Sequence, residues 1–375
     1  MTMIYLDHAA TTPLDSAVAT AMHRVEVQYF ANPSSVHSAG QQSKVQLEHA
    51  RHVIADALMA KPDEIVFTSG GTESNNMAII GAARANRHLG NHIITTKIEH
   101  PAVLEPCHFL EQNGFRLSYL DVDRDGLPDL DQLKTLLSQD TILVSIMAVN
   151  NETGVILPLD QVRSLMDGTS ALLHCDSVQA FGKTQLPANV DLLSFSAHKI
   201  YGPKGIGALY IRKGIRIDPI LHGGSQEVRQ RPGTENLPAI CGFAEAVSRL
   251  QHFSVHADRI RYLRDLLEQK LLDQIPGLEI NGSDAPRAGE FSNIYFPFMT
   301  GDSLLMNLDM HGIAVSSGSA CSSGSRKPSH VLASMGFSSD RISKSLRFSL
   351  GRSTSEEDIL KTVDIISMLF KRLKK

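Results

Sequence analysis

The sequence predicts an α/β fold: a large domain on a mainly parallel, seven-stranded sheet and a smaller α+β domain. Short apolar runs alternate with helical patterns from residue 38 to 211, and after a long helical stretch at 238–274 the pattern changes to isolated strands. The chain has 375 residues, 42% hydrophobic and 20% charged, enough for two substantial cores.

Residues 38–60 place Val45, Ala50, Val53, Ile54, Ala57 and Leu58 near helical spacing, and the apolar run Glu64–Thr68 that follows reads as a strand. A helix is expected after Ser69-Gly-Gly-Thr72, then a strand at 92–96, a helix from Pro101, a strand at 115–120, a helix near 129–138 and a strand at 141–148. Apolar runs at 171–174, 191–195 and 207–211 bring the strands to seven. Strands separated by helices imply right-handed crossovers and a sheet covered on both faces. Beyond the 238–274 helix, strands are expected at 278–280, 293–296, 314–316 and 345–349, with three helical segments among them. The expected division is 15–255 for the large domain, with 1–14 and 256–375 forming the small one. The small domain carries Ser316–Ser325, in which six of ten residues are serine and two glycine, too polar a stretch to pack tightly.

Lys plus Arg number 36 against 40 Asp plus Glu, so no basic excess draws the chain to stable nucleic-acid binding or to an anionic membrane. No apolar stretch reaches membrane-spanning length and the N-terminus lacks a cationic segment followed by an apolar one, so a cytoplasmic location is expected. The cysteines, Cys107, Cys175, Cys241 and Cys321, have neither disulfide-framework nor zinc-site spacing, and no metal is expected.

Between a strand and a helix, Ser69-Gly-Gly-Thr72 offers glycines, a hydroxyl and unpaired N–H groups to an anion such as phosphate, although a plain helix start reads the same way. Asp176 ends one apolar strand and Lys199 follows the next, placing both at the carboxyl edge where open α/β sheets bind ligands. A lysine there can form a Schiff base while the acid protonates a pyridine nitrogen; an ordinary ion pair is the competing reading. Arg347, inside a strand pattern, demands an anionic partner, either a substrate or a structural acid. His100 alone would read as a structural histidine, and His8, His37 and His222 receive no role. Cys107, Cys175 and Cys241 fall in apolar patterns as small core residues. Cys321 alone lies in a Ser/Gly-rich segment, with Arg326 and Lys327 near enough in sequence to favour a thiolate.

Eight segments, Tyr5–Pro13, Asn32–His37, Phe67–Glu73, Glu99-His100, Val149–Glu152, Ser196–Lys199, Arg231–Thr234 and Ser316–Cys321, stand in the order found in cysteine desulfurases of the NifS/IscS type, long-loop group, which the chain resembles over nearly its whole length. The resemblance implies the aspartate-aminotransferase-like pyridoxal-phosphate transferase fold, pyridoxal 5'-phosphate as cofactor, and a homodimer with active sites at the subunit interface. It implies that Lys199 carries the cofactor and moves a proton, that Asp176 pairs with the pyridine nitrogen, that Gln179 bonds the phenolic oxygen, and that His100 stacks on the ring and relays protons. Gly71, Thr72, Ser196 and His198 would hold the phosphate, joined by Thr234 of the neighbouring subunit. Asn151 would lie beside cofactor and substrate, and Arg347 would clamp the substrate carboxylate, with Asn32 a second candidate. The implied reaction converts L-cysteine to L-alanine and leaves the sulfur on Cys321 as a persulfide. From there it would pass to an acceptor protein, an iron–sulfur scaffold or a tRNA-thiolation enzyme. Ala31 and Ala197 stand where glycine is common, and the sequence stops at Lys375 without the longer tail of IscS-type members, which leaves the acceptor open. Competing readings are a selenocysteine lyase, an aminotransferase, or a catalytically idle scaffold for sulfur-transfer partners.

Overall fold

The structure, a computed structural model, describes residues 3–317 and 328–373. Its centre is a seven-stranded sheet of β2 (Ile65–Thr68), β3 (His92–Thr96), β4 (Arg116–Leu120), β5 (Thr141–Ser145), β6 (Leu172–Asp176), β7 (Leu192–Ser196) and β8 (Gly207–Ile211), in the order β2-β8-β7-β6-β5-β3-β4. Only β8 runs antiparallel to its neighbours. Five of these strands, β2, β3, β5, β6 and β7, are buried at every residue, as expected for a sheet covered on both faces.

The covering helices follow from apolar periodicity and capped starts. They are α1 (Ser16–Gln28), α2 (Ser38–Ala57), α3 (Gly71–Ala85), α4 (Pro101–Gln112), α5 (Leu130–Leu136), α6 (Leu159–Leu165) and α7 (Leu237–Ser248). Asp15 caps α1 by accepting from the Ala17 N–H, and Asp129 caps α5 by accepting from the Gln132 N–H. Helices α1 and α2 both pack on α7, and α3 packs on α4 and on the sheet. Val45 and Ala57, expected on the buried face of α2, are exposed, while Ala50 and Ile54 are buried as expected and are joined by Leu47.

The helical stretch expected at 238–274 is two helices, because a 3₁₀ turn at Arg249–His252 separates α7 from α8 (Phe253–Gln274). Beyond it, β9 (Glu279–Ile280), β10 (Phe291–Tyr295) and β12 (Ser345–Ser349) form an antiparallel sheet in the order β12-β10-β9. The N-terminal β1 (Ile4–Tyr5) pairs in parallel with β11 (Ile313–Ala314). Four helices are described here, α9 (Gly301–Met310), α10 (His330–Ser334), α11 (Ser339–Ser343) and α12 (Glu356–Leu373), where the sequence suggested three. Ile4 and Leu6 share a core with Leu263, Leu267, Phe296, Phe348 and Ile366, so the first residues of the chain pack with its last third.

Candidate active site

Strands β2, β3, β5, β6 and β7 point the same way, so the segments leaving their carboxyl ends meet in one crevice. There a cavity of about 350 Å³ is lined by Gly71, Thr72, His100, Asn151, Asp176, Gln179, Ser196, His198, Lys199 and Arg347, all sequence candidates, together with Asn75 and Met147. A larger hollow of about 540 Å³ on the other side of Lys199 lacks Asp176 and His100, so the reactive groups converge in the smaller one.

Asp176 is the last residue of β6 and is buried. The Asn75 Nδ2 donates to its Oδ2 at 2.7 Å and the Val178 N–H to its Oδ1 at 3.0 Å, so both oxygens are fixed in place. Asn75 was missed from the sequence; it lies on α3 four residues after Gly71, on the same helix face. Lys199 ends the 3₁₀ turn after β7 and donates to the carbonyls of Ala9 and Ala10 at 2.5 and 2.7 Å. The strap formed by residues 7–12 touches much of the site. Ala9 O also accepts from Gln179 Nε2 (2.9 Å), Thr12 donates to His198 O (3.0 Å), and Asp7 accepts from Arg347 Nη2 (2.8 Å). Arg347 therefore has a structural acid, Asp7, besides donating from Nη1 to Asn151 O at 2.8 Å; its buried Nε has no partner among the described residues. Gln179 is turned to the strap and to Lys183, which donates to its Oε1 at 3.1 Å.

His100 caps α4, with its Nδ1 accepting from the Ala102 N–H at 3.0 Å. A ring nitrogen that accepts carries no proton, so the proton sits on Nε2. Burial pulls the His100 pKa below its ordinary value, with Lys199 pulling the same way and Asp176 opposing, and the ring is neutral at pH 7. The preceding Glu99 is fully buried, which pushes its carboxyl up to about 8 despite bonds from the Met147 N–H and the Thr96 hydroxyl. It is protonated at neutral pH.

At the head of α3, Gly70 adopts φ +153°, and a Cβ on Gly71 would come within 2.7 Å of Val178 Cγ2. The site thus has a close-approach glycine turn, a 15-residue helix N-terminus, a buried carboxylate at a strand end and an amine across from it. That donor set fits pyridoxal phosphate: Gly71 and Thr72 would hold a phosphate, Asp176 would pair with a pyridine nitrogen and Lys199 would bind an aldehyde.

Two expected residues lie elsewhere. Asn32 is exposed and accepts from the Ser34 N–H at 2.8 Å within its own loop, outside the cavity. Thr234 is also exposed and off the cavity, in a loop tied to the head of α3 by Arg231 donating to Glu73 at 2.9 Å. Cys321, Arg326 and Lys327 fall outside the described residues. Of the described cysteines, Cys107 and Cys175 are buried, while Cys241, expected in the core, is only half-buried. Burial raises the pKa of each above the usual thiol range, Cys241 to about 11, so none is a thiolate at pH 7. No candidate metal cluster and no helix long and apolar enough to cross a membrane occurs among the described residues.

The profile of the family described as "Aminotransferase class-V" matches residues 4–361. The chain is 47% identical over 377 residues to the cysteine desulfurase IscS of Dictyoglomus turgidum, covering 99% of this chain and 95% of that protein. Among solved structures, a NifS-like protein superposes with a TM-score of 0.92 at 36% identity, covering 99% and 100% of the two chains. SspA, solved in complex with cysteine, superposes with a TM-score of 0.82 at 35% identity, covering 92% and 98%.

Proposed function

From the premise that this chain belongs to the class-V aminotransferase family and is a pyridoxal-phosphate-dependent cysteine desulfurase of transferase fold type I, we propose that Cys321 receives the sulfur and that the cavity residues divide the work as follows. When bound, pyridoxal phosphate supplies an electron sink that labilises the Cα–H and Cβ–Sγ bonds of L-cysteine. Asp176, fixed by Asn75, holds a proton on the ring nitrogen. Gly71, Thr72, Ser196 and His198 hold the phosphate, with Thr234 reaching in from a second subunit. Gln179 lines the cavity but would bond the phenolic oxygen only on releasing Ala9 O, and Asn151 would stand beside cofactor and substrate. Lys199 anchors the cofactor and carries the Cα proton. Arg347 lines the cavity and would draw the substrate carboxylate with its guanidinium charge, oriented by Asp7 and the Asn151 carbonyl. His100, neutral with its proton on Nε2, presents an N–H donor to the substrate sulfur.

Sulfur transfer then balances without an outside oxidant. The Cys321 thiolate attacks the substrate Sγ; the S–S bond forms as Cβ–Sγ breaks. The electron pair stays with the substrate carbon, which takes up a proton and leaves as alanine. Cys321 ends as a persulfide and passes its terminal sulfur to an acceptor protein in the cytoplasm, an iron–sulfur scaffold or a tRNA-thiolation enzyme. The observation that carries this reading is the convergence of Asp176, Lys199, His100 and Arg347 on one cavity while Cys107, Cys175 and Cys241 are held as thiols.

A homodimer is part of the same reading. Loops 30–36 and 221–236 flank a hollow lined by Pro33, Arg51, Glu227 and Val228, and carry Phe30 at 81%, Val36 at 92% and Val228 at 77% exposure. An apolar rim of this kind fits a second copy of the chain.

The test is incubation with L-cysteine followed by peptide mapping. One added sulfur is expected on Cys321, and Cys321→Ser is expected to stop turnover. Alanine formed with no sulfur on Cys321 would falsify the assignment.

A further inference from the structure

Where the sheet meets the last third of the chain, Lys183 carries a buried cation that no step of the reaction uses. It follows Gln179 by four residues across two consecutive turns. The Phe181 N–H bonds Ser177 O and the Thr184 N–H bonds Ala180 O, a helical spacing that puts the side chains of Gln179 and Lys183 on one face. The Lys183 side chain is 7% exposed and lies 3.4 Å from Glu290 Oε1, just ahead of β10, with the Phe291 ring centroid 5.7 Å from its Nζ. Burial lowers the Lys183 pKa, Glu290 opposes that shift, and Arg347 adds to it; His8 on the strap and His198 after β7 also feel the Lys183 charge.

An ordinary ion pair does not account for how Lys183 is placed. Glu290 Oε1 takes no hydrogen bond among the described residues, whereas Lys183 donates at 3.1 Å to the neutral Gln179 Oε1. An ammonium has donors only, so it is met by the oxygen of an amide and not by its NH2. The Gln179 nitrogen is thereby turned the other way, where it donates at 2.9 Å to Ala9 O, the carbonyl that Lys199 also bonds. Ala9 O and Lys183 enforce the same orientation. Once Gln179 releases Ala9 O for the phenolic oxygen of the cofactor, Lys183 is its remaining partner among the described residues. A reversed amide would set one electron-rich oxygen against another.

We propose that Lys183, held by Glu290, is a positioning residue that keeps the Gln179 amide nitrogen, rather than its oxygen, turned to the phenolic oxygen of the cofactor. The proposal rests on the reading that Gln179 meets that oxygen. A donor there favours the ionised oxygen, so its loss raises the pH at which the cofactor's visible band changes, by about one unit for one hydrogen bond to a charged group. Because Lys183 follows β6 and Glu290 precedes β10, the amide is set only when the last third of the chain is docked on the sheet.

The experiment follows the visible absorbance of the cofactor-loaded enzyme against pH, without substrate. Lys183→Met alone would leave Glu290 buried and unpaired, so the variant used is Lys183→Met/Glu290→Met, which removes both charges. It is compared with Gln179→Ala and with all three substitutions together. The expected midpoint rises by about one pH unit in Gln179→Ala and by at least about half a unit in the methionine pair, and the triple variant matches Gln179→Ala because the pair acts through that amide. A midpoint in the methionine pair equal to that of the parent, with Gln179→Ala shifted, overturns the role of Lys183 and leaves that of Gln179 standing. A further shift on adding the pair to Gln179→Ala assigns Lys183 an effect of charge alone and also overturns it. Loss of the cofactor from the pair, with Gln179→Ala retaining it, assigns the pair to folding only, a third overturning result. An unmoved midpoint in Gln179→Ala overturns both readings.

Discussion

Lys199 is held by the Ala9 and Ala10 carbonyls, which fix its amine in the cavity. Lys199→Ala is expected to lower turnover by about a thousandfold and to let the cofactor leave on gel filtration, read from the absorbance of the eluted protein. His100 has two separable duties, capping α4 and presenting Nε2–H. His100→Asn keeps a capping side chain and removes the ring, so the fold is expected to survive, checked by thermal denaturation, while turnover falls about a hundredfold. Because burial, Lys199 and His330 lower the His100 pKa against the opposing Asp176, protonation of the ring begins below its ordinary 6.5. The acid limb of kcat/KM due to His100 should therefore lie below pH 6.5 and vanish in His100→Asn. At this scale the sequence was informative where chemistry is carried by residue type and motif: Asp176, Lys199 and His100 share the cavity as expected. It was uninformative where a role is conferred by a distant partner. Asn75 and Asp7 matter because Asp176 and Arg347 reach them across the fold, and Asn32 turns to its own loop.

Among the elements, the segment Glu227–Arg229 is unusual: three successive non-glycine residues take φ of +45°, +54° and +64°. Each costs about 1–2 kcal/mol relative to the ordinary helical region. What holds the segment is Glu227, whose carboxylate takes Arg51 Nη1 and Nη2 at 2.8 and 2.7 Å and the Phe67 N–H at 2.8 Å. Removing one member of a buried pair leaves the other charge uncompensated, so Arg51→Met is expected to destabilise by about 3–5 kcal/mol in urea denaturation and to loosen the loop bearing Thr234. Strands β3, β8 and β12 could be read to the residue from apolar runs bounded by polar or turn residues. Strands β9 and β11 shrink to two residues because pairing partners, rather than propensity, set their ends. The break between α7 and α8 was invisible since the helical pattern runs through it.

For the molecule as a whole, burial lowers the pKa of His8, His92 and His198 to about 4 and that of His174 to about 3. The unfolded chain then binds more protons than the folded one between those values and 6.5, so stability falls as pH drops through 6.5, by about 1 kcal/mol per histidine near pH 5.5. Glu99, raised to about 8, and Glu152, also raised by burial, work the other way, gaining stability as pH falls, but two carboxyls oppose five lowered imidazoles, His100 among them. The urea midpoint at pH 5.5 should accordingly lie below that at pH 7; an unchanged midpoint refutes the buried-neutral histidines. The proposed dimer face gives a further expectation: Phe30→Glu should shift the protein toward monomer in sedimentation and weaken cofactor retention through loss of the second subunit's Thr234. The strap at residues 7–12 has one more consequence, for synthesis. Its residues leave the ribosome well before their partners, Lys199 and, 340 positions after Asp7, Arg347. The sheet can assemble on a nascent chain, N-terminal parts first, but the Asp7 end of the strap stays unpaired until Arg347 has emerged. Chains that terminate before Arg347 should therefore leave the cavity without its Asp7–Arg347 closure and release no sulfur.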